Sequence, residues 1–275
     1  MIDTHAHLNF PGLIEQVDKI VVESKKAGLG GIIIASSDVS SSEGAISLSQ
    51  QYPGFLFASI GVHPQKTDPK NKASIQEQIA FLENLIKKSS KGKIVAIGEC
   101  GLDFSKPPPH EEERSKKEQE ELFLGQINLA IKYDLPLAIH VRQAQDEALD
   151  FIRTYVKNNP QAVKKLRGVF HCYSGGRKRI KQILDLPGKW YFGFDGNLTY
   201  EIGLQNILSE IPKDRLLLET DAPFLSPVPY RDQKNTPAYL PLIAQKAADI
   251  WQVSFEEVAK QTIKNSKQLF NLKIA

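Results

Sequence analysis

Eight short apolar runs, separated by segments of helical character, limit the possible folds of this chain more than any other feature. They are Ile2–His7, Gly31–Ser36, Phe55–Ile60, Ile94–Glu99, Pro136–His140, Gly168–His171, Trp190–Phe194 and Arg215–Glu219. Strands that are apolar at nearly every position belong in a sheet covered on both faces, as parallel strands wrapped by helices are. The segments between them carry the helical period. Leu13, Ile14, Val17, Ile20, Val21 and Ala27 precede a stop at Gly28, and Ile75, Ile79, Leu82, Leu85 and Ile86 precede Gly92. A longer helix is expected from Glu111 to Tyr133, followed by Ala144–Val156, Arg177–Leu184 and Tyr200–Ile211. Such alternation implies parallel βα units, either a (β/α)8 barrel or an open doubly wound sheet. The 275 residues suit a barrel, which needs about 250. No glycine-rich phosphate fingerprint follows the first strand, against the open nucleotide-binding sheet. The expectation is therefore an α/β, TIM-type (β/α)8 barrel with extra C-terminal helices, one domain over residues 1–275.

After the last strand comes APFLSPVPYRDQKNTPAYLP, a proline-rich stretch expected to form an ordered loop near the mouth. The tail is then helical. Ser254-Phe255-Glu256-Glu257 has the form of a capping box, and Val258, Ile263, Leu269 and Phe270 form an apolar stripe. These helices are expected to pack on the outside of the barrel. Two cysteines, Cys100 and Cys172, give no disulfide framework and suit a reducing, cytoplasmic compartment. No apolar run approaches the ~18 residues of a membrane helix, and a histidine at position 5 leaves no room for a signal peptide ahead of it. A net charge of +3 neither announces nor excludes a nucleic-acid partner. No membrane association or obligate protein partner is indicated.

The polar residues fall where the strands end. In a strand, residues two apart share a face, so His5 and His7 should point one way and Thr4, Ala6 and Leu8 the other. Glu99 closes the fourth strand, His140 the fifth and His171 the sixth, and Asp221 lies just past the eighth. In a (β/α)8 barrel all these ends meet on one rim, where active sites of the fold are built. Four of the six histidines in the chain occupy such positions. Histidine and carboxylate without sulfur suit magnesium, manganese, zinc or nickel. Four histidines and two carboxylates exceed the needs of one open site and suit two divalent metal ions with a bridging acid. Glu99, in the middle of the set, is the natural bridge. His5, His7 and Asp221 would then hold one ion with it, and His140 and His171 the other. Cys100 and Cys172 each follow a ligand, so alternation should turn both away, with roughly 9–10 Å between them.

The segments IDTHAHLNF, GVHP, AIGECGLDF, LPLAIHVR, VFHCYSGG, LLLETDAPFL and PYRDQKNTPAYL, in that order, resemble the TatD family of metal-dependent deoxyribonucleases. The resemblance implies a (β/α)8 barrel and a two-metal site on His5, His7, Glu99, His140, His171 and Asp221. It implies that His63 contacts the substrate phosphate, and that the activity is hydrolysis of DNA, from a 3′ end. Three positions depart from the family pattern: Gln143 stands for an acid, Lys234 for an arginine and Thr236 for a glutamate. All lie outside the metal set and bear on substrate preference.

Phosphodiester hydrolysis needs a nucleophile at neutral pH, and a divalent ion lowers the pKa of a water it holds toward 7. Asp221, with two carboxylate oxygens, is assigned as ligand and proton acceptor; its rival reading is a helix N-cap. Arg142 is either a phosphate clamp or a salt-bridge partner. Arg177 opens a helix after the small-residue turn Tyr173–Gly176 and is a candidate anion contact, whereas Lys178, Arg179 and Lys181 read as a solvated face. Arg231 and Asn235, on the proline-rich loop, are candidate contacts to a nucleic-acid strand. Asp103 is either support for a ligand or a turn residue, and His110 reads as surface. A single-stranded DNA end fits a barrel mouth better than a duplex does. Two other classes compete: an amidohydrolase or esterase acting on a small molecule or aminoacyl-tRNA, and a non-catalytic metal-binding protein. Many barrels of the wider amidohydrolase group bridge their metals with a modified lysine at the end of strand four. Glu99 stands there instead.

Overall fold

The computed structural model describes residues 1–66, 73–107 and 113–274. His110 and the expected start of the helix at Glu111 lie outside them. Eight parallel strands run in sequence order around one sheet: β1 (Ile2–Ala6), β2 (Gly31–Ile34), β3 (Leu56–Ile60), β4 (Ile94–Asp103), β5 (Leu137–Arg142), β6 (Arg167–Phe170), β7 (Lys189–Phe194) and β8 (Leu216–Leu218). The helices are α1 (Val17–Lys26), α2 (Val39–Gln51), α3 (Ile75–Lys88), α4 (Lys116–Tyr133), α5 (Gln145–Asn158), α6 (Gly176–Leu184), α7 (Ile202–Leu208), α8 (Leu240–Trp251) and α9 (Phe255–Phe270). This is the (β/α)8 barrel that the alternation predicts. Among the described residues, no helix is long and apolar enough to cross a membrane.

The first and last strands meet through bonds other than a regular ladder. The N–H of Asp221 donates to the His5 carbonyl (2.9 Å) and that of His7 to the Ala222 carbonyl (2.7 Å). Lower down, the Thr4 hydroxyl donates to the Leu218 carbonyl (3.1 Å), and the Asp3 carboxylate accepts from the N–H (3.0 Å) and hydroxyl (2.6 Å) of Thr220. The register of β1 against β2 also shifts between Asp3 and Ala6.

Two apolar clusters follow from strand alternation. Outward residues such as Ile32, Ile34, Leu56, Ile60, Leu137, Ile139 and Phe192 pack beneath the helices with Leu82, Phe123, Ile152 and Ile243. Inward residues Ile2, Ile33, Phe57, Val95, Ala138, Val169, Tyr191 and Leu217 fill the lower barrel. Leu269, Phe270 and Leu272 join this inner cluster. The C-terminal helix was expected only outside; its last turn closes the barrel floor, because its apolar stripe runs on past Asn271, a left-handed residue (φ 52°). Asn265 ties the helix to the start of β8 by donating to the Lys213 and Leu216 carbonyls (2.9 and 2.7 Å).

Helix α2 had no counterpart in the periodicity. Its sequence VSSSEGAISLSQQ buries Ser42 and Ser49 beside Ala45, Ile46 and Leu48, so hydroxyls replace part of the expected apolar stripe. Those hydroxyls bond to backbone, as Ser42 Oγ does to the Asp38 carbonyl (2.8 Å), and Asp38 and Ser41 form a reciprocal cap. Helix α7 is also shorter than the expected Tyr200–Ile211, with a 3₁₀ turn over Gly196–Thr199 ahead of it.

Candidate metal centre

The rim above this floor carries the polar groups. Glu99, from β4, stands between two sets of nitrogens. Its Oε2 lies 3.8 Å from His5 Nε2 and 3.5 Å from His7 Nε2. Its Oε1 lies 3.3 Å from His140 Nδ1 and 3.0 Å from His171 Nε2. Asp221 Oδ1 completes the first set, 3.6 Å from His5 and 3.3 Å from His7. In the second set, His140 Nδ1 and His171 Nε2 are 3.2 Å apart. Neighbouring ligands of an ion held at about 2.0–2.2 Å are separated by roughly 3.0–3.5 Å, so both groupings have the spacing of a metal's donors. His5, His7, Glu99 and His171 are buried. His5 Nε2 points into the first set, is buried and, among the described residues, accepts no hydrogen bond. Such an atom is costly unless something occupies the space it faces. The donor set therefore fits a divalent ion.

Electrostatics agree. Burial lowers the pKa of His5 well below the ordinary histidine value, leaving its lone pair available. Burial alone would raise Glu99, yet hydrogen bonds from His140 and His171 hold it well below the carboxylate range. Burial would also lower His7, but Asp221 and Glu99 raise it above its usual value.

His140 is gripped from its far side too. Its Nε2 lies 3.1 Å from Asp103 Oδ2, while Asp103 Oδ1 accepts from the Ser105 N–H (2.9 Å) and hydroxyl (2.6 Å). Burial disfavours this charge on the imidazole, but Asp103 and Glu99 push His140 up to about 9. Of the two readings of Asp103, support for a ligand is the one its contacts match. His63 packs edge-on against His140, with ring centroids 4.3 Å apart. Its Nδ1 accepts from the Gln65 N–H (3.1 Å), which assigns the proton to Nε2 and makes that nitrogen a donor.

Several expectations need correction. Thr4 does not share the outer face with Ala6 and Leu8. The irregularity in β1 puts its hydroxyl 3.3 Å from Glu219 Oε2, on the inner side. Cys172 is not turned away by alternation either. The strand has ended at Phe170, and Cys172 takes a left-handed conformation (φ 43°) with its N–H donating to Glu219 (2.6 Å). Its sulfur lies within 4.8 Å of donor atoms of His171 and Asp221. Burial pushes this thiol well above its ordinary pKa, so it stays protonated and donates to Asp195. Cys100 does face outward, buried among apolar residues, and both cysteines are free thiols. Arg177 does not line the cleft; its Nε pairs with Glu210 at 2.6 Å, across to the segment after α7. Asn235 is no strand contact: it is buried, and its amide donates to the Thr220 (2.7 Å) and Phe224 (2.6 Å) carbonyls. Arg231 is exposed and lies over the Tyr200 ring, 3.8 Å from its centroid, outside the cleft lining. Asp221 caps no helix; it is left-handed (φ 54°) and directs Oδ1 at the histidines.

The sequence pattern gives Glu219 no role beyond closing the eighth apolar run. It is fully buried beneath the centre, accepts from the Cys172 N–H, lies 3.3 Å from the Thr4 hydroxyl, and is raised well above the carboxylate range by burial. Gly193 leaves room for it, since a Cβ there would lie 2.5 Å from Glu219 Oε2. The available signal was parity: Glu219 lies two residues from Leu217, which faces inward.

Above the centre opens a cleft of about 900 Å³, lined by His7, Phe10, His63, Lys106, Arg142 and Phe224 among others. Arg142 is exposed on its wall and, among the described residues, is in no ion pair, which leaves it available to an anion.

Comparison with known proteins decides what kind of barrel this is. The family model described as TatD related DNase matches residues 2–271. This chain belongs to the TatD-related DNase family. A relative from Bacillus subtilis (strain 168), an uncharacterized metal-dependent hydrolase YabD, is 31% identical over 99% of both chains. A 3'-5' ssDNA/RNA exonuclease TatD from Edwardsiella piscicida is 33% identical over 99% of this chain and 100% of its own. Among solved structures, the TatD homolog YJJV from Escherichia coli K12 superposes with a TM-score of 0.84 at 25% identity, covering 99% of this chain and 98% of that one. Membership makes the chain a metal-dependent hydrolase acting on ester bonds.

Proposed function

We propose that this TatD-family member is an exonuclease that hydrolyses the terminal phosphodiester of single-stranded DNA, from the 3′ end, at a pair of divalent ions. The observation that carries the reading is the division of Glu99: one carboxylate oxygen serves His5 and His7, the other His140 and His171. A bridging acid has that arrangement, and two-ion sites are characteristic of phosphoester hydrolases. The 3′ polarity and the nucleic-acid substrate draw support from relatives named as 3'-5' exonucleases.

When bound, the ions would acidify a water and offset charge on the phosphoryl oxygens. The chain's own residues do the rest. Asp221 directs Oδ1 at the histidines, and its second oxygen is the acceptor for the proton of the attacking water. His63, with its proton on Nε2, donates to a non-bridging phosphate oxygen. Arg142, on the cleft wall, clamps a phosphate with its paired N–H groups. Asp103 keeps His140 from rotating out of the donor set.

End-labelled single strands incubated with magnesium, manganese or zinc should be shortened one nucleotide at a time. A chelator or Asp221→Asn should slow this by at least about a hundredfold. Equal product release from the variant and the wild type would defeat the assignment.

A further inference from the structure

The cleft has two chemically different sides. Loops after β1 and β8, neighbours in the barrel, contribute Phe10, Phe224 and Leu225. Loops after β3 and β4 and the end of β5, across the mouth, contribute His63, Gln65, Ser105, Lys106 and Arg142. The histidine–carboxylate centre lies between them. Phe224 is 47% exposed, unusual for so large an apolar ring beside a buried polar centre. It is also held rigidly: its N–H donates to the Asp221 carbonyl (2.9 Å) and its carbonyl accepts from Asn235 (2.6 Å). Phe10 and His7 both meet it perpendicularly, at centroid distances of 5.9 and 6.0 Å. Among the described residues no ring is stacked on it.

We infer that Phe224, buttressed by Phe10, is a stacking platform for the nucleobase adjoining the scissile phosphate, and that it makes the enzyme favour strand ends that carry a base. This deepens the nuclease reading and rests on it. A nucleotide has one aromatic part and one anionic part, and the cleft offers one side to each. Because Phe224 sits against His7, a base on its ring stays within one nucleotide of the centre. Stacking is indifferent to base identity, since every base presents a π face, so the platform selects for a base without selecting a sequence. A rigid ring loses little freedom on binding.

The test uses the full chain, metal-loaded, in two assays. One follows cleavage of oligonucleotides whose terminal nucleotide is either intact or abasic. The other follows quenching of a terminal 2-aminopurine in a strand whose last linkage is a non-hydrolysable phosphonate. Wild type should favour the intact end by about tenfold in kcat/KM and quench the fluorophore. Phe224→Ala should bring the preference toward one and remove most of the quenching. Phe224→Leu should behave like Ala despite its apolar bulk, and Phe224→Tyr like wild type. Cleavage with preference and quenching unchanged in Phe224→Ala overturns the platform and leaves the nuclease standing. Quenching that depends on Phe224 without any cleavage overturns the nuclease and supports the platform. Neither signal in the wild type overturns both.

Discussion

His140 is held at both ends by carboxylates from one strand, Glu99 at Nδ1 and Asp103 at Nε2. This division turns Nδ1 toward the candidate donor set and Nε2 away from it. Asp103 lies beyond the point where β4 was expected to stop, since the strand runs on to pair Gly101 with His140 and Asp103 with Arg142. Asp103→Ala should therefore weaken metal binding about tenfold to hundredfold while leaving the fold intact. Isothermal titration of the metal-free protein with manganese measures this, and unchanged affinity would remove Asp103 from the account. The role was undecided from residues alone because a carboxylate four places past a candidate ligand serves a turn equally well. Only the meeting of β4 with β5 separates the two.

Among the elements, α9 and the α3–α4 pair make distinct contributions. Phe270, at the end of α9, is buried with Ile33, Phe57 and Tyr191 in the barrel floor. Phe270→Ala should cost about 3–5 kcal/mol in denaturant unfolding, without changing cleavage per folded molecule. A loss near zero would mean that the helix end is dispensable. Helices α3 and α4 are joined by Glu83, which accepts from Lys132 (2.7 Å) and Tyr133 (2.8 Å). Those bonds and Lys87 lower its pKa to about 2. The folded state thus prefers Glu83 ionised. Its contribution is present above the ordinary carboxylate value and fades as pH falls toward 2. Glu83→Gln should lower the melting temperature slightly at pH 7, with the difference shrinking in high salt and disappearing at pH 2. A difference independent of pH would show that packing, not charge, links the helices.

Across the whole molecule, floor and rim divide the work. The lower barrel is closed by apolar side chains, whereas the rim collects carboxylates and imidazoles within a few ångströms of one another. Such a cluster is held together more firmly when cations occupy it, so metal should stabilise the native state. At a free metal concentration a hundred times the dissociation constant, the gain is about 2.7 kcal/mol, measurable as a rise in melting temperature that chelator reverses. A melting temperature insensitive to manganese, zinc and magnesium would contradict the donor-set reading. The candidate donor set was legible in the chain itself. A strand repeats every two residues, and every βα unit delivers its strand end to the same rim. Barrel class and the positions of His5, His7, Glu99, His140, His171 and Asp221 follow from one-dimensional pattern. Where the pattern breaks, sequence is silent. The bulge that turns Thr4 inward, the left-handed Cys172, the amide of Asn235 bound to the Thr220 and Phe224 carbonyls, and the pairing of Arg177 with Glu210 each depend on partners far along the chain. Periodicity describes how a segment repeats, but which distant group closes a hydrogen bond or ion pair is settled only when the barrel closes.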